Sequence, residues 1–386
     1  MAHELMATFH LTGAQLGNLA ACYFYAYLCM QIPVGVLLDR FAARNIIAIA
    51  ILICALATGL FSYTDNLNVA YLSRILVGLF GAFSAVGTMK LVTLLFPSHR
   101  FALLSGLMMT VAMIGAVVGQ GPLAFSVGHI GWRHSMLILA ALGVILTLVF
   151  FVLSGHKTED VPHQKRTFAQ VWQGLKVIVC NRNSWLIALY SGLAFAPINA
   201  FAGLWGIPYL TEVYHVARTQ MAGVVSLTFI GFAIGAPLSG WYSSYLGKRK
   251  IVMLAGTVLA LACLLVCLYV HLPLFWLAVT LFIMGFFISF FFVSFAYISE
   301  LNPHHFAGSS IGFINMFNAL CGAVSEPLIG KLLDSHWSGK MVDGARYFAA
   351  QNYHHALAIL PVGLVVAIVL LIFTKETYGV QNNSST

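Results

Sequence analysis

The chain has 386 residues, 60% of them hydrophobic and 8% charged, with a formal net charge of +8 and a mean hydropathy of +0.91. Soluble globular domains carry about a quarter charged residues, so charge this sparse cannot coat a soluble surface, and the composition predicts a polytopic membrane protein with the bilayer as its main solvent. The positive charges sit in short loops between apolar segments, with no basic stripe interleaved with aromatics, which argues against nucleic acid as a partner.

Residues 1–12 lack the basic start and long apolar core of a cleavable signal peptide. Apolar segments then run at 14–38, 45–63, 68–92, 101–125 and 134–154. A polar stretch follows at 155–183, and six more apolar segments lie at 184–211, 218–244, 250–270, 273–298, 307–333 and 355–374. Each is long enough to cross roughly 30 Å of hydrocarbon as a helix. Barrel strands would be about half as long and would alternate, which these segments do not. The predicted fold is therefore an all-α transmembrane bundle of about eleven helices. Its organisation is a first half at 1–154, a linker at 155–183 and a six-helix half at 184–386.

The seven cysteines are odd in number and six lie inside apolar segments. They read as small buried hydrophobes rather than a disulfide framework. The His304–His305 and His354–His355 pairs are adjacent, so on a helix they point about 100° apart. No metal site and no cofactor are expected.

If Arg40 and Arg44 are cytoplasmic, alternation makes the linker cytoplasmic too, with Lys157, Lys165, Arg166, Lys176 and Arg182. Arg100, Lys248, Arg249, Lys250 and Lys375 fall on the same side, and this excess sets the orientation. The loop with Lys340 and Arg346 is the main dissent. The two halves also repeat. Gly35-x3-Asp39-x4-Arg44 returns as Gly240-x3-Ser244-x4-Arg249, and Pro122-Leu123 returns as Pro327-Leu328, both at an offset of 205. Phe96-Pro97, Gly106 and Gly78 find partners in Asn302-Pro303, Gly312 and Gly285. Segment 184–211 has no complete counterpart before residue 14. One reading is an eleven-helix protein with an external N-terminus. The other, which the repeat favours, is a chain starting late near the end of a first helix. That reading expects a groove open toward lipid beside Arg74, poor transport by this chain alone, and a further apolar segment encoded upstream.

Two such halves, joined by a basic linker, resemble the major facilitator superfamily. Gly35, Asp39, Arg40 and Arg44 match its loop motif G-x3-D-R-x-G-x-R, with Ala42 where glycine is usual. Arg74-x3-Gly78 resembles a second motif of that family. The stretches YFYAYLCMQIPVGVLLDR, LWGIPYL and ISELNPHHFAGSSIGFINMFN are similar to a bacterial branch that includes nutrient and amino-acid importers of intracellular pathogens. The resemblance implies two halves rocking about a central site, in a bacterial inner membrane, with the chain as a monomer. It also implies that Asp39 faces the N-terminal end of the helix near Ser309 and Ser310, where a carboxylate gains roughly 0.3–2 kcal/mol. Arg40 and Arg44 then anchor the loop, and Gly35 allows close helix approach. The plainer alternative is a topogenic basic loop with an incidental acid. Ser244 replaces the acid in the second copy, so the mirror latch should be weaker.

Charges at membrane depth are costly and mark function by default. Arg74 and Glu326 are the deepest, whereas Lys90 lies near a helix end where it can snorkel. Asn315, Asn318, Gly322 and Glu326 fall at i, i+3, i+7 and i+11, on one helix face. The Asn pair is either cavity lining or helix–helix glue; Glu326 reads as a proton site. Tyr23, Tyr27 and Gln31 form a second stripe. Pro197 cannot bond the carbonyl of Leu193 and invites a kink near Asn199, where Trp205 could line a substrate site; an aromatic belt is the reading for Tyr209. The substrate-binding set is thus Arg74, Tyr27, Gln31, Asn199, Trp205, Asn315 and Asn318, with Glu326 for proton coupling.

No nucleophile, paired carboxylates or GxxxxGK[ST] motif is present. That argues against an enzyme or a primary pump. The leading expectation is a proton-coupled importer of a small polar metabolite, with amino acids first. Gly106, Gly115 and Gly119 fit a glycine motif of drug exporters, but Gly121-Pro122 falls late. An exporter of drugs or organic ions therefore ranks second, and a non-transporting membrane receptor is the alternative from another class. Asp39→Asn is predicted to impair transport while leaving the protein inserted and able to bind substrate; wild-type flux in that variant would contradict the gate reading.

Overall fold

With no water to satisfy backbone groups in hydrocarbon, a spanning segment must bond internally, and each apolar segment does so as helix. The computed structural model describes residues 1–40, 43–95, 101–154, 174, 176–303 and 307–377, excepting the side chains at 32, 35, 36, 39, 40, 89, 90, 93–95, 101–107, 109, 110, 307 and 308. The first half holds a short α1 (Ala2–Phe9), then α2 (Gly13–Arg40), α3 (Ala43–Tyr63), α4 (Leu67–Leu95), α5 (Phe101–Val118) and α6 (Gly121–Leu153). In the second half, α7 (Arg182–Ala196) passes through a π-helical stretch, Pro197–Trp205, into α8 (Gly206–Tyr214). Then come α9 (Arg218–Leu246), α10 (Lys250–Tyr269) and α11 (Leu274–Ile288), which continues through a 3₁₀ turn into α12 (Val293–Leu301). Next is α13 (Ala307–Ser335), followed by a small hairpin of β1 (Met341–Val342) and β2 (Ala345–Arg346). Finally α14 (Ala350–Leu357) leads almost directly into α15 (Ile359–Ile372). The second half thus begins at Arg182, two residues before the boundary read from sequence.

The corner between the fourth and fifth segments is set by one glycine. Residues 121–130 run along the start of α9, with Gly121 beside Gly223 and Gly128 beside Thr219. Residues 132–153 run back along α3: Arg133 bonds the Ser62 carbonyl, and Arg44 bonds the Phe151 carbonyl. Gly131 makes the turn with φ +80° and ψ 161°, a conformation essentially confined to glycine.

Alternation gives the bundle two ends. The linker face carries the ends of α2, α6, α9 and α12; the opposite face carries residues 10–12, 64–66, Gly131, 215–217 and the β hairpin.

The internal repeat is physical. Gly78 of α4 presses on α2 so closely that a Cβ there would lie 2.2 Å from the Tyr23 carbonyl oxygen. Gly285 of α11 presses on α9 in the same way, 1.9 Å from the Thr228 carbonyl oxygen. Tyr23 and Thr228 are 205 residues apart (228 − 23), the offset read from the loop motif. The arginines of that motif also correspond. Arg44 is buried, donates to Ser154 Oγ at 2.9 Å and to the Phe151 carbonyl at 2.7 Å, and lies over the Phe151 ring. Arg249 ion-pairs with Glu300 at 2.9 Å and reaches Ser243 and Ser244. Ser244 is therefore part of an arginine clamp. The side chains of Gly35, Asp39 and Arg40 lie outside the described residues, so the Asp39 latch is not visible here.

Between the halves, α2 lies antiparallel to α13. Gly13 meets Gly330, and Gly17 meets Glu326 and Pro327. Pro327 has no N–H to give the Ala323 carbonyl; Tyr25 Oη of α2 donates to it instead, at 3.1 Å.

A methyl group at Gly78 or Gly285 would meet backbone rather than a movable side chain. Gly78→Ala and Gly285→Ala are each expected to cost about 1–3 kcal/mol and to lower the thermal midpoint of the purified protein. Gly115→Ala, with no atom within 4 Å of its new methyl, should leave it unchanged. Equal midpoints for all three would contradict this packing.

Candidate functional site

A cavity of about 580 Å³ lies between the halves, in the part of the bundle nearer the opposite face. Most of its wall is apolar. Its polar side chains are Tyr23, Thr58, Ser73, Arg74, Gln120, Asn199, Arg218 and Glu326.

Arg74 owes its place to Gly78, one helical turn further along α4, which lets that helix touch α2. Its Nε donates to the Leu19 carbonyl at 3.4 Å, and its guanidinium lies 6.0 Å from the Tyr23 ring, at the outer limit of a cation–π contact. Among the described residues no carboxylate forms an ion pair with it. Glu326 is only 4% exposed, and its Oε2 is buried with no hydrogen-bond partner. The two line the same cavity without forming an ion pair.

Asn199 sits in the π-helical stretch that Pro197 opens, a widened turn of the kind at which helices kink. Its Nδ2 is also buried and unbonded. Gly322, one turn from Glu326, makes the room: a Cβ there would lie 3.0 Å from Asn199 Nδ2 and 3.3 Å from Phe24. Gln120 occupies the break between α5 and α6, and its Nε2 donates to the Ala202 carbonyl across the halves at 3.0 Å. Buried polar atoms without partners are costly, typically 1–3 kcal/mol each.

The other expected site residues lie elsewhere. Trp205 is buried behind the wall, where its indole donates to the Glu326 carbonyl at 3.2 Å. Tyr27 stacks on Tyr23 at 5.6 Å, one turn toward the linker face. Gln31 lies a further turn along, buried, with Nε2 unbonded. Asn318 acts as glue: its Oδ1 accepts from Ser191 Oγ at 2.8 Å, and Ser294 Oγ donates to Ser191 Oγ at 3.2 Å. Asn315 is half-buried on α13, nearer the linker face and away from the cavity lining. Tyr209 is not in a belt. It is buried, its hydroxyl donating to the Leu268 carbonyl at 2.8 Å and meeting His354 Nε2 at 3.0 Å.

Gln120, Thr58 and Phe24 were not singled out by sequence. The Gly-Gln-Gly at 119–121 carried a usable signal, a lone amide between glycines in an apolar run. Among the described residues no group of three or more His, Cys, Asp or Glu side chains could hold a metal ion.

The sequence model of the Major Facilitator Superfamily matches residues 1–206 and again 187–386. The chain belongs to that superfamily. It is a multi-pass integral membrane protein of a transporter family, not an enzyme. It is 25% identical to the probable galactarate/D-glucarate transporter GudP of Bacillus subtilis, over 93% of this chain and 86% of that protein. It is 24% identical to the membrane sensor protein UhpC of Salmonella typhimurium, over 88% and 81% of the two chains. Among solved structures it is similar to a bacterial homologue of the human lysosomal transporter Spinster, in an inward-facing, unoccupied conformation. That match has a TM-score of 0.76 at 16% identity, covering 96% of this chain and 91% of the other.

Proposed function

We propose that the chain is a secondary transporter that moves a small organic carboxylate across the bacterial inner membrane by alternating access, with protons as the coupling ion. The observation that carries this reading is Arg74, a fixed cation in an apolar-walled cavity with no carboxylate among the described residues ion-paired to it. A planar guanidinium suits a carboxylate bidentately. Asn199 and Gln120 offer hydrogen bonds to hydroxyl or amino groups, and Glu326, across from Arg74, takes the proton. Tyr27, Gln31 and Asn315 lie toward the linker face, where a substrate would pass on its way in or out. Trp205 and Asn318 hold the walls.

The substrate class extends the amino-acid expectation to sugar acids. GudP is described as a probable transporter of galactarate and D-glucarate, which carry carboxylates and many hydroxyls. Both classes share the group that Arg74 would hold. Import by a monomer is the working form of the proposal, with Gly35, Asp39, Arg40 and Arg44 as the loop that gates the linker face. A second reading has a specific support: UhpC is a sensor, so this chain could bind the same class of ligand without moving it.

The test is uptake of radiolabelled galactarate, D-glucarate and a panel of amino acids into proteoliposomes at two pH values. One substrate should accumulate, faster with an inward proton gradient. Arg74→Lys keeps the charge but loses the planar fork, and should weaken its affinity by about tenfold or more. Glu326→Gln should abolish the response to the gradient. Normal affinity in Arg74→Lys and Arg74→Ala would overturn the carboxylate assignment; unchanged flux and pH dependence in Glu326→Gln would make that carboxylate structural. Saturable binding with no flux would favour the sensor reading.

A further inference from the structure

We infer that Asp334 is the latch of a gate on the face opposite the linker, fastening the first turn of α2 to the end of α13. Asp334 belongs to the second half and α2 to the first. The Gly13 amide donates to Asp334 Oδ1 at 2.8 Å, and the Ala14 amide donates to Oδ2 at 2.7 Å. One carboxylate thus takes two of the N–H groups that a helix start leaves unsatisfied within its own helix. It also meets the positive end of the helix macrodipole, where negative charge is favoured. These bonds join parts of the chain more than 300 residues apart in sequence.

Two further features make this a latch rather than an ordinary cap. Beneath it the backbones interlock: a Cβ at Gly330 would lie 2.1 Å from the Gly13 carbonyl oxygen, and a Cβ at Gly13 would lie 2.7 Å from the Gly330 carbonyl oxygen. The surfaces therefore fit only when brought fully together. Above it, Arg346 of the β hairpin donates to Asp334 Oδ1 at 3.0 Å while lying over the Trp337 ring. That partner sits on the same half as Asp334. It gives the carboxylate a partner within its own half, so the two amide bonds can break and re-form without leaving the carboxylate unpaired.

Among the described residues, the other hydrogen bonds and ion pairs between the halves fall on the same side of the bundle. Arg218 at the start of α9 pairs with Glu4 of α1 at 3.1 Å. Tyr25 bonds the Ala323 carbonyl and Gln120 the Ala202 carbonyl, both at cavity level. Among the described residues the halves are thus hydrogen-bonded at the cavity and between it and the opposite face. For α2 to part from α13 there, the contacts of Asp334 with Gly13 and Ala14 must break, along with the Gly13–Gly330 fit. Asp334 is a positioning residue that acts on access to the cavity rather than on substrate.

The inference rests on the alternating-access reading, but its test uses no substrate. The full chain carries a Thr58→Cys reporter in the cavity wall, with its other cysteines replaced by serine. It is reconstituted in vesicles and exposed to a membrane-impermeant maleimide from either face. Asp334→Asn removes the charge, and Ala14→Pro removes one donor at a helix position that tolerates proline. Each should raise the labelling rate from the opposite face about tenfold without raising it from the linker face, and Asp334→Glu should label like the parent. Parent rates in both Asp334→Asn and Ala14→Pro would overturn the inference, as would equal increases from both faces, which signal loss of structure. If Asp334→Asn does not fold, Ala14→Pro decides alone. Faster labelling in a protein that moves no substrate would leave the gate standing and overturn the transporter reading instead.

Discussion

A guanidinium and a carboxylate held apart in a cavity between membrane helices constrain everything else in this fold. In hydrocarbon such groups either pair, neutralise or face a space that another charged group can enter. Arg74 and Glu326 share a cavity but form no ion pair. The surrounding packing keeps them apart. Gly78 fixes the height of Arg74 against α2, and Gly17 lets the α2 backbone press on α13 beside Glu326. Trp205 bonds the Glu326 carbonyl, and Gly322 leaves space for Asn199. The structure thus maintains unsatisfied polar atoms at a place where their cost is high, and that cost is what a ligand could recover on binding.

The two halves share a packing grammar and differ in chemistry. Gly78 and Gly285 make the same backbone contact in each half, which fixes the shape of each half-bundle. The arginines of the duplicated loop, Arg44 and Arg249, sit in different surroundings. The first bonds a carbonyl and a serine, and the second bonds a carboxylate in its own half. Symmetry in shape permits two alternative ways for the halves to meet, and contacts between the halves bias which is held. On the opposite face that bias comes from Asp334, which the loop motif does not encode.

Much of this was legible in the sequence because membrane helices must satisfy their own backbone, so apolar length alone predicts each crossing. The repeat was legible partly through Gly78 and Gly285, where helix contacts leave no room for a Cβ. Arg74, Asn199 and Glu326, which all line the cavity, stood out as candidates for a related reason: polar groups in apolar runs demand an explanation. Periodicity was a weaker guide. Asn315, Asn318 and Glu326 share a stripe on α13, yet Asn318 bonds Ser191 within its own half while Glu326 faces the cavity. A helix face says which residues point together, not what stands opposite. Gln120 and Asp334 were passed over because their roles depend on partners in the other half. The corner at Gly131 was also hidden, since a glycine's φ is not written in the residues around it.

Thermal unfolding of the purified, substrate-free protein tests the central claim most directly. If Arg74 and Glu326 are unpaired charges kept for a ligand, replacing either by an apolar residue of similar size relieves a cost. Arg74→Met and Glu326→Leu should then unfold at or above the wild-type temperature, with the double variant showing no rescue of one change by the other. If instead the two form a structural ion pair, each single change strands a buried charge and costs about 3–5 kcal/mol. Midpoints that fall in both single variants and recover in the double variant would contradict the account.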